Sequence, residues 1–152
     1  MFLTLPFLVI TSYFVAFYWV VPVIHDETLK KFSEPLLSLP VPKNTKQIDS
    51  IIVVGQQFAN GDHCDYLAAI LIDSTLSKDD IQSYYKKQYT GNSEVRYVFF
   101  DEANSYTRDI FDAQKVYSLK DWISLHSKIS STTVAVYIFE GHMTSSFDYR
   151  CG

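Results

Sequence analysis

Hydrophobic positions follow two different patterns in this chain, and the change comes at Asp26. Residues 1–24 read MFLTLPFLVITSYFVAFYWVVPVI, with no Lys, Arg, Asp or Glu. Beyond Asp26 the apolar residues fall into short periodic runs separated by polar turns. As a helix the first stretch extends about 36 Å, slightly more than the roughly 30 Å hydrocarbon core of a bilayer. A core helix of a globular domain is seldom apolar all round for so long. A cleaved signal peptide would bring a basic leading segment and a small-x-small site, and residues 22–25 offer no such site. The expectation is therefore a transmembrane anchor. Tyr18 and Trp19 suit headgroup depth, Tyr13 falls near mid-span, and Pro6 and Pro22 fall near the two ends. Thr11, Ser12 and Ala16 are small residues of the kind that permit close helix contact, as in a subunit of a membrane complex.

Residues 25–37 (HDETLKKFSEPLL) are expected to continue the helix past the membrane, until Pro35 and then Pro40 and Pro42 stop it. The stretch LSLPVPKNTKQ reads as an extended linker. Three segments follow: an anchor at 1–24, a juxtamembrane helix and proline-containing linker at 25–47, and a folded domain at 48–152.

Within that domain residues 48–58 (IDSIIVVGQQF) are β-branched and bounded by turn formers, which predicts a strand, with Gly55 as a bulge. Asn60-Gly61 centres a turn, and residues 66–73 (YLAAILID) read as a second strand, apolar on both faces and hence central. The two form a hairpin. Ser77 caps a helix whose first turn carries Asp79 and Asp80. Ile81, Tyr84, Tyr85 and Tyr89 give it one buried stripe, and Gly91-Asn92 ends it. Residues 94–101 predict a third strand. Residues 104–117 show no clean period, with a short strand placed at 109–111. Ser118 repeats the cap pattern ahead of Leu119, Trp122, Ile123, His126 and Ile129. Residues 132–140 (TTVAVYIFE) predict the last strand, and Phe147 and Tyr149 pack from the tail. No internal repeat is visible. The fold class is α+β: a transmembrane helix, then a small, mainly antiparallel sheet with two helices on one face.

Composition narrows the classes of function. At 152 residues and 17.5 kDa the chain has room for one domain. With 13 Lys+Arg against 17 Asp+Glu and a pI near 5.4, it lacks the charge of a nucleic-acid binder. Two cysteines are too few for a disulfide scaffold or a four-thiolate zinc site.

The densest cluster of reactive residue types is Asp62-His63-Cys64-Asp65. With His142 and Cys151 it offers His63, Cys64, His142 and Cys151 as a nominal zinc set. Adjacent ligands at 63 and 64 lack the usual spacer, and no metal is expected. The plain alternative is a polar hairpin turn facing water. Cys64 and Cys151 read better as a disulfide, closing a loop of roughly 87 residues. A nucleophilic Cys64 with His63 or His126 as base has no supporting local signature. The acid clusters Asp79-Asp80, Asp101-Glu102 and Asp109/Asp112 are explained by capping or loops. No phosphate-binding, dinucleotide, zinc-protease or serine-hydrolase motif occurs. No catalytic residue and no cofactor is assigned.

Orientation pulls two ways. Lys30, Lys31, Lys43 and Lys46 follow the anchor, which by the positive-inside rule places the domain in the cytoplasm. Asp26 and Glu27 intervene, and a cysteine pair favours an oxidising compartment; we expect the domain outside the cytoplasm. Leu39-Pro40-Val41-Pro42, the stretch from Asn60 to Tyr66, and Leu76 to Ile81 with Tyr84-Tyr85 together resemble uncharacterised, short, membrane-anchored bacterial proteins across residues 39–90. That resemblance implies a bacterial envelope setting and no activity. The expected function is a non-enzymatic, membrane-anchored binding or accessory envelope protein. Its partners would be the lipid bilayer through residues 1–24 and a protein, with no nucleic acid. The rival reading is a small membrane-bound enzyme or metal-binding protein using the His63-Cys64-Asp65 turn.

Overall fold

The computed structural model describes residues 4–56, 63–100, 117–126, 129–144 and 148–151. The expected turn at Asn60-Gly61 with Asp62, the acids Asp101, Glu102, Asp109 and Asp112, the strand at 109–111 and the packing of Phe147 lie outside the described residues.

One continuous helix opens the chain. It runs as α1 (Thr4–Val15), a π turn (Ala16–Val20) and α2 (Val21–Leu37). Thr11 donates to the carbonyls of Phe7 and Leu8, and Ser12 to that of Val9. These bonds satisfy hydroxyls that an apolar surrounding would otherwise leave costly. From Pro6 the helix is long and apolar enough to cross a bilayer, and its apolar window is not buried against the rest of the protein.

The expected end of the helix at Leu37 is met, although Pro35 itself does not stop it. The helix passes through Pro35 and stops at Leu37, where Ser38 hydrogen-bonds back to Glu34 through both its backbone N–H and its hydroxyl. A proline inside a helix removes one bond and strains a turn. Here burial of Leu29, Ser33 and Leu36 on either side of it holds the turn in place. Asn44, at φ 60°, then turns the chain into the sheet, a left-handed conformation that asparagine tolerates better than most residues.

The sheet has four strands, β1 (Thr45–Gly55), β2 (His63–Ser74), β3 (Val95–Phe99) and β4 (Thr133–Thr144). Their order is β1-β2-β4-β3, and every neighbouring pair is antiparallel. The expected β1–β2 hairpin and the central place of β2 both hold. The helices α3 (Lys78–Gln88) and α4 (Tyr117–Ser124) complete the described elements. Ser77 caps α3 by accepting from the Asp80 N–H, and Asp79, Asp80, Lys86 and Lys87 match its dipole. The helix ends at Gln88, short of Gly91-Asn92. α4 starts one residue before Ser118 and ends before His126 and Ile129.

The α+β class stands, but the helices do not share a face. Leu67, Ala69 and Leu71 of β2 pack with Leu119 and Trp122 of α4 on one side. Ala68, Ile70 and Ile72 pack with Ile81 and Tyr85 of α3 and Leu36 of α2 on the other. Strand β2 is apolar on both faces, so each face needs its own cover. The second cluster also takes in Phe32, Leu39 and Val41, and Tyr84 donates to the Pro40 carbonyl at 2.7 Å. The packed core therefore starts well ahead of residue 48, the expected boundary, and takes in part of the expected linker.

Candidate functional site

Helix α2 lies along β2, with His25 beside Cys64, Phe32 beside Tyr66, and Leu36 beside the middle of the strand. The end of the sheet that carries His63 and Gly55 therefore sits where the helix leaves its apolar stretch. The segment 148–151 is laid against this end. The Gln56 N–H donates to the Arg150 carbonyl at 3.3 Å, and the Cys151 N–H to the Asp148 carbonyl at 3.0 Å.

Four buried side chains from three parts of the chain converge here: His25 of α2, Cys64 of β2, and Asp148 and Cys151 of the terminal segment. Their ligand-type atoms all lie within 4.8 Å of one another. The sulfurs of Cys64 and Cys151 are in disulfide contact, with Cα atoms 4.9 Å apart, inside the range a bridge needs. His25 donates from Nδ1 to Asp148 Oδ2 at 2.7 Å, and the same nitrogen lies 3.3 Å from Cys64 Sγ. A thiol–imidazole–carboxylate relay uses the two ring nitrogens for two different partners. A single nitrogen facing both groups does not provide that order.

Arg150 clamps the cluster from outside. Its Nε and Nη2 donate to Asp148, its Nη1 to Asp26 Oδ1 at 2.6 Å, and its Nη2 also to the Pro22 carbonyl at 3.0 Å. Pro22 has no N–H to donate back to the preceding turn, while its own carbonyl accepts from the guanidinium. Burial alone pushes the Asp148 carboxyl up. The hydrogen bonds from the Arg150 side chain and backbone and from His25 outweigh that, so the group lies below the ordinary aspartate range. The two aspartates in turn hold Arg150 firmly charged. Below the cluster Tyr149 stacks on Tyr18 at 5.6 Å between ring centroids and meets Phe17 at 6.5 Å, both inside the π turn.

Of the residues singled out from sequence, Cys64 and Cys151 come together. His63 and Asp65 do not join them. They point to the opposite face of β2, both buried, with His63 Nε2 3.5 Å from Asp65 Oδ1. The water-facing turn expected around them is a buried strand start, because pairing with β4 carries β2 three residues further than its apolar run. The nominal zinc set of His63, Cys64, His142 and Cys151 is thus split by the sheet, and the His142 side chain lies outside the described residues. His126, offered as a base, sits far along on α4's side, bonded to Asp49 at 3.0 Å. His25, Asp26, Asp148 and Arg150 are not singled out by the sequence reading. The one signal available was the mixed charge packed around a cysteine in Asp148-Tyr149-Arg150-Cys151.

A separate open groove of about 370 Å³ runs beside α2, lined among others by Phe32, Pro35, Tyr66, Tyr89 and Glu140. Gly91 in its wall lies against the hydroxyl end of Tyr89, which would have to move aside for a Cβ at that position. Comparison of the chain with known protein families, with curated proteins and with solved structures found no match.

Proposed function

We propose that this protein is a single-pass, membrane-anchored, non-enzymatic domain that serves as a binding or accessory protein of a bacterial envelope, its folded part outside the cytoplasm. The observation that carries the reading is the Arg150 clamp on Pro22 and Asp26, with the Cys64–Cys151 pair behind it. Many membrane-tethered domains hang from a flexible linker. Here the helix passes unbroken out of its apolar stretch, and the terminal segment ties the sheet back onto that point of exit. The domain is thereby held at a fixed height and angle over the bilayer. Tyr18, Trp19 and Tyr149 fall at the depth where aromatic rings favour the headgroup region. The buried titratable groups are engaged with one another, as suits a structural lock. The groove beside α2 is the surface this reading offers to a partner, close above the membrane. A bridge between Cys64 and Cys151 belongs to an oxidising compartment, and this favours the outer side over the literal positive-inside placement.

The test is extraction of native membranes, followed by alkylation under denaturing, non-reducing conditions and mass measurement. The protein is expected to stay with the membrane through high salt and carbonate and to leave only with detergent, carrying no alkyl group. Release by carbonate would overturn the anchor. Two added alkyl groups would overturn the oxidised, extracytoplasmic placement.

A further inference from the structure

We propose that, once the Cys64–Cys151 bond is reduced, His25, Cys64, Asp148 and Cys151 form a tetrahedral site for a zinc ion. The argument begins from the donor set. Thiolate, imidazole and carboxylate are all ligand types that zinc accepts, and four protein donors complete its tetrahedral shell. They arise from three separated parts of the chain, yet converge on one buried point, within 4.8 Å. Zinc bonded at 2.0–2.3 Å sets neighbouring donors roughly 3.3–3.8 Å apart. His25 Nδ1 already stands 3.3 Å from Cys64 Sγ, within that range, and its 2.7 Å hydrogen bond to Asp148 Oδ2 would open by less than about 1 Å on replacement of the shared proton by zinc.

Charge is matched as well. Two thiolates and a carboxylate against a divalent ion leave one negative charge in the cage. The Arg150 guanidinium, bonded to Asp148 through Nε and Nη2, supplies the offsetting positive charge. The same bonds orient the carboxylate, the role that outer groups play at metal sites. The Tyr66 ring, edge-on to His25 at 6.2 Å between centroids, closes the cage on the sheet side.

The two states exclude each other. A dithiol reductant transfers two electrons and two protons to the bond, becoming a disulfide itself and leaving Cys64 and Cys151 as thiols. Zinc then displaces the two thiol protons. His25 binds through Nδ1, and the proton it donates to Asp148 in the oxidised state moves to Nε2. The site thus exchanges a covalent lock for a metal lock at the same place, and the segment 148–151 stays attached to α2 in both. This inference rests on the convergence of the four side chains and not on membrane placement, so it stands or falls separately from the function proposed above.

The experiment uses the full chain in detergent, reduced anaerobically with a phosphine. The phosphine becomes its oxide, with water supplying the oxygen and the two thiol protons. Added zinc, after removal of excess, is expected to remain at one equivalent per reduced chain by elemental analysis, and at none in the oxidised chain. Cobalt(II) as a probe should give intense tetrahedral bands and a thiolate charge-transfer band, with the charge-transfer band lost in the Cys64→Ser/Cys151→Ser chain. His25→Gln should weaken zinc binding at least tenfold. If the reduced, metal-free chain loses its fold, zinc should restore its thermal transition, and failure to do so counts against the site. Equal zinc on oxidised and reduced chains, or cobalt bound without thiolate bands, would overturn the proposal.

Discussion

Arg150 and Asp26 stand 124 residues apart in sequence, and Arg150 Nη1 donates to Asp26 Oδ1 at 2.6 Å. The same guanidinium holds Asp148, whose side chain is fully buried while that of Arg150 is 24% exposed. Arg150→Met should therefore leave a buried carboxylate with His25 as its remaining side-chain partner. Removing one member of such a pair costs about 3–5 kcal/mol when burial is complete, and partial exposure of the arginine brings the expectation to about 2–4 kcal/mol. Adding Asp148→Asn to Arg150→Met should cost less than the sum of the two single changes, because the stranded charge is then gone. Denaturant unfolding of the four chains in detergent measures both. Strict additivity would mean that the two side chains act independently.

Trp122 donates from Nε1 to Asp49 Oδ2 at 2.8 Å, tying α4 to the edge strand β1. Asp49 lies opposite Leu71, on the same α4 face of β1 as Ile51 and Val53. That bond, followed by those from the Ser50 backbone and His126, holds Asp49 below its ordinary range. The indole is 6% exposed, among Leu67, Leu71 and Leu119. Trp122→Ala is expected to cost about 3–5 kcal/mol in unfolding free energy. Trp122→Phe should keep most of the packing and lose about 1 kcal/mol with the hydrogen bond. A loss below about 1 kcal/mol for the alanine change would place the ring outside the core.

Much of this arrangement was legible along the chain. Strand β2 announced itself by apolar residues on both faces, and the Ser77 cap located the start of α3 to within a residue. What stayed hidden depends on contacts between distant segments. Nothing local in HDETLKK says that His25 and Asp26 will meet a segment more than 120 residues away. Tertiary packing also overrode two local rules. Pro35, expected to help stop the helix, is carried inside its last turn by burial of Leu36, and His63 was expected in a turn that the β2–β4 ladder draws into a strand. The placement of α4 on the face opposite α3 follows from β2 being apolar on both sides.

Leu36 is fully buried, and Leu29 is nearly so. A chain beginning at residue 39 would strip this cover from Tyr66, Ala68 and Ile70 and remove His25 from the buried cluster. It is expected to aggregate or to lack a cooperative thermal transition. A chain beginning at residue 21 keeps α2 and should fold as a soluble domain. Scanning calorimetry of the two separates them, and a sharp transition in the shorter chain would show that α2 is dispensable.

Tyr85 is fully buried on α3, and its hydroxyl has no hydrogen-bond partner among the described residues. Burial, then the neighbouring Tyr84 and Tyr97, push its ionisation well above the ordinary value of 10.0. The unfolded chain therefore releases this proton near pH 10.0 while the folded chain retains it. The stability it supports is complete below that pH and is lost as pH rises toward the folded value. Tyr85→Phe should stabilise the protein by about 1 kcal/mol at neutral pH, the lower end of the cost of an unpaired buried polar group. It should also flatten the alkaline loss. Destabilisation on this change would mean that the hydroxyl is paired.

The bond between Cys64 and Cys151 closes a loop with a sequence separation of 87. In the chain-entropy description such a loop contributes up to about 4.6 kcal/mol, by restricting the unfolded chain rather than by adding native contacts. Reduction with a chelator present should therefore lower the unfolding free energy by up to that amount. The effect should appear mainly as a shift in midpoint, with a smaller change in denaturant slope as the reduced unfolded chain expands. Because Arg150 still holds Pro22, Asp26 and Asp148, the reduced fold should keep its terminal segment in place near neutral pH. The two clamps are separable: Arg150→Met combined with reduction should release the segment, and protease cleavage near residue 148 should then become rapid. Slow cleavage in the doubly altered chain would show that the Tyr149 stack on Tyr18 is enough to retain the segment without either clamp.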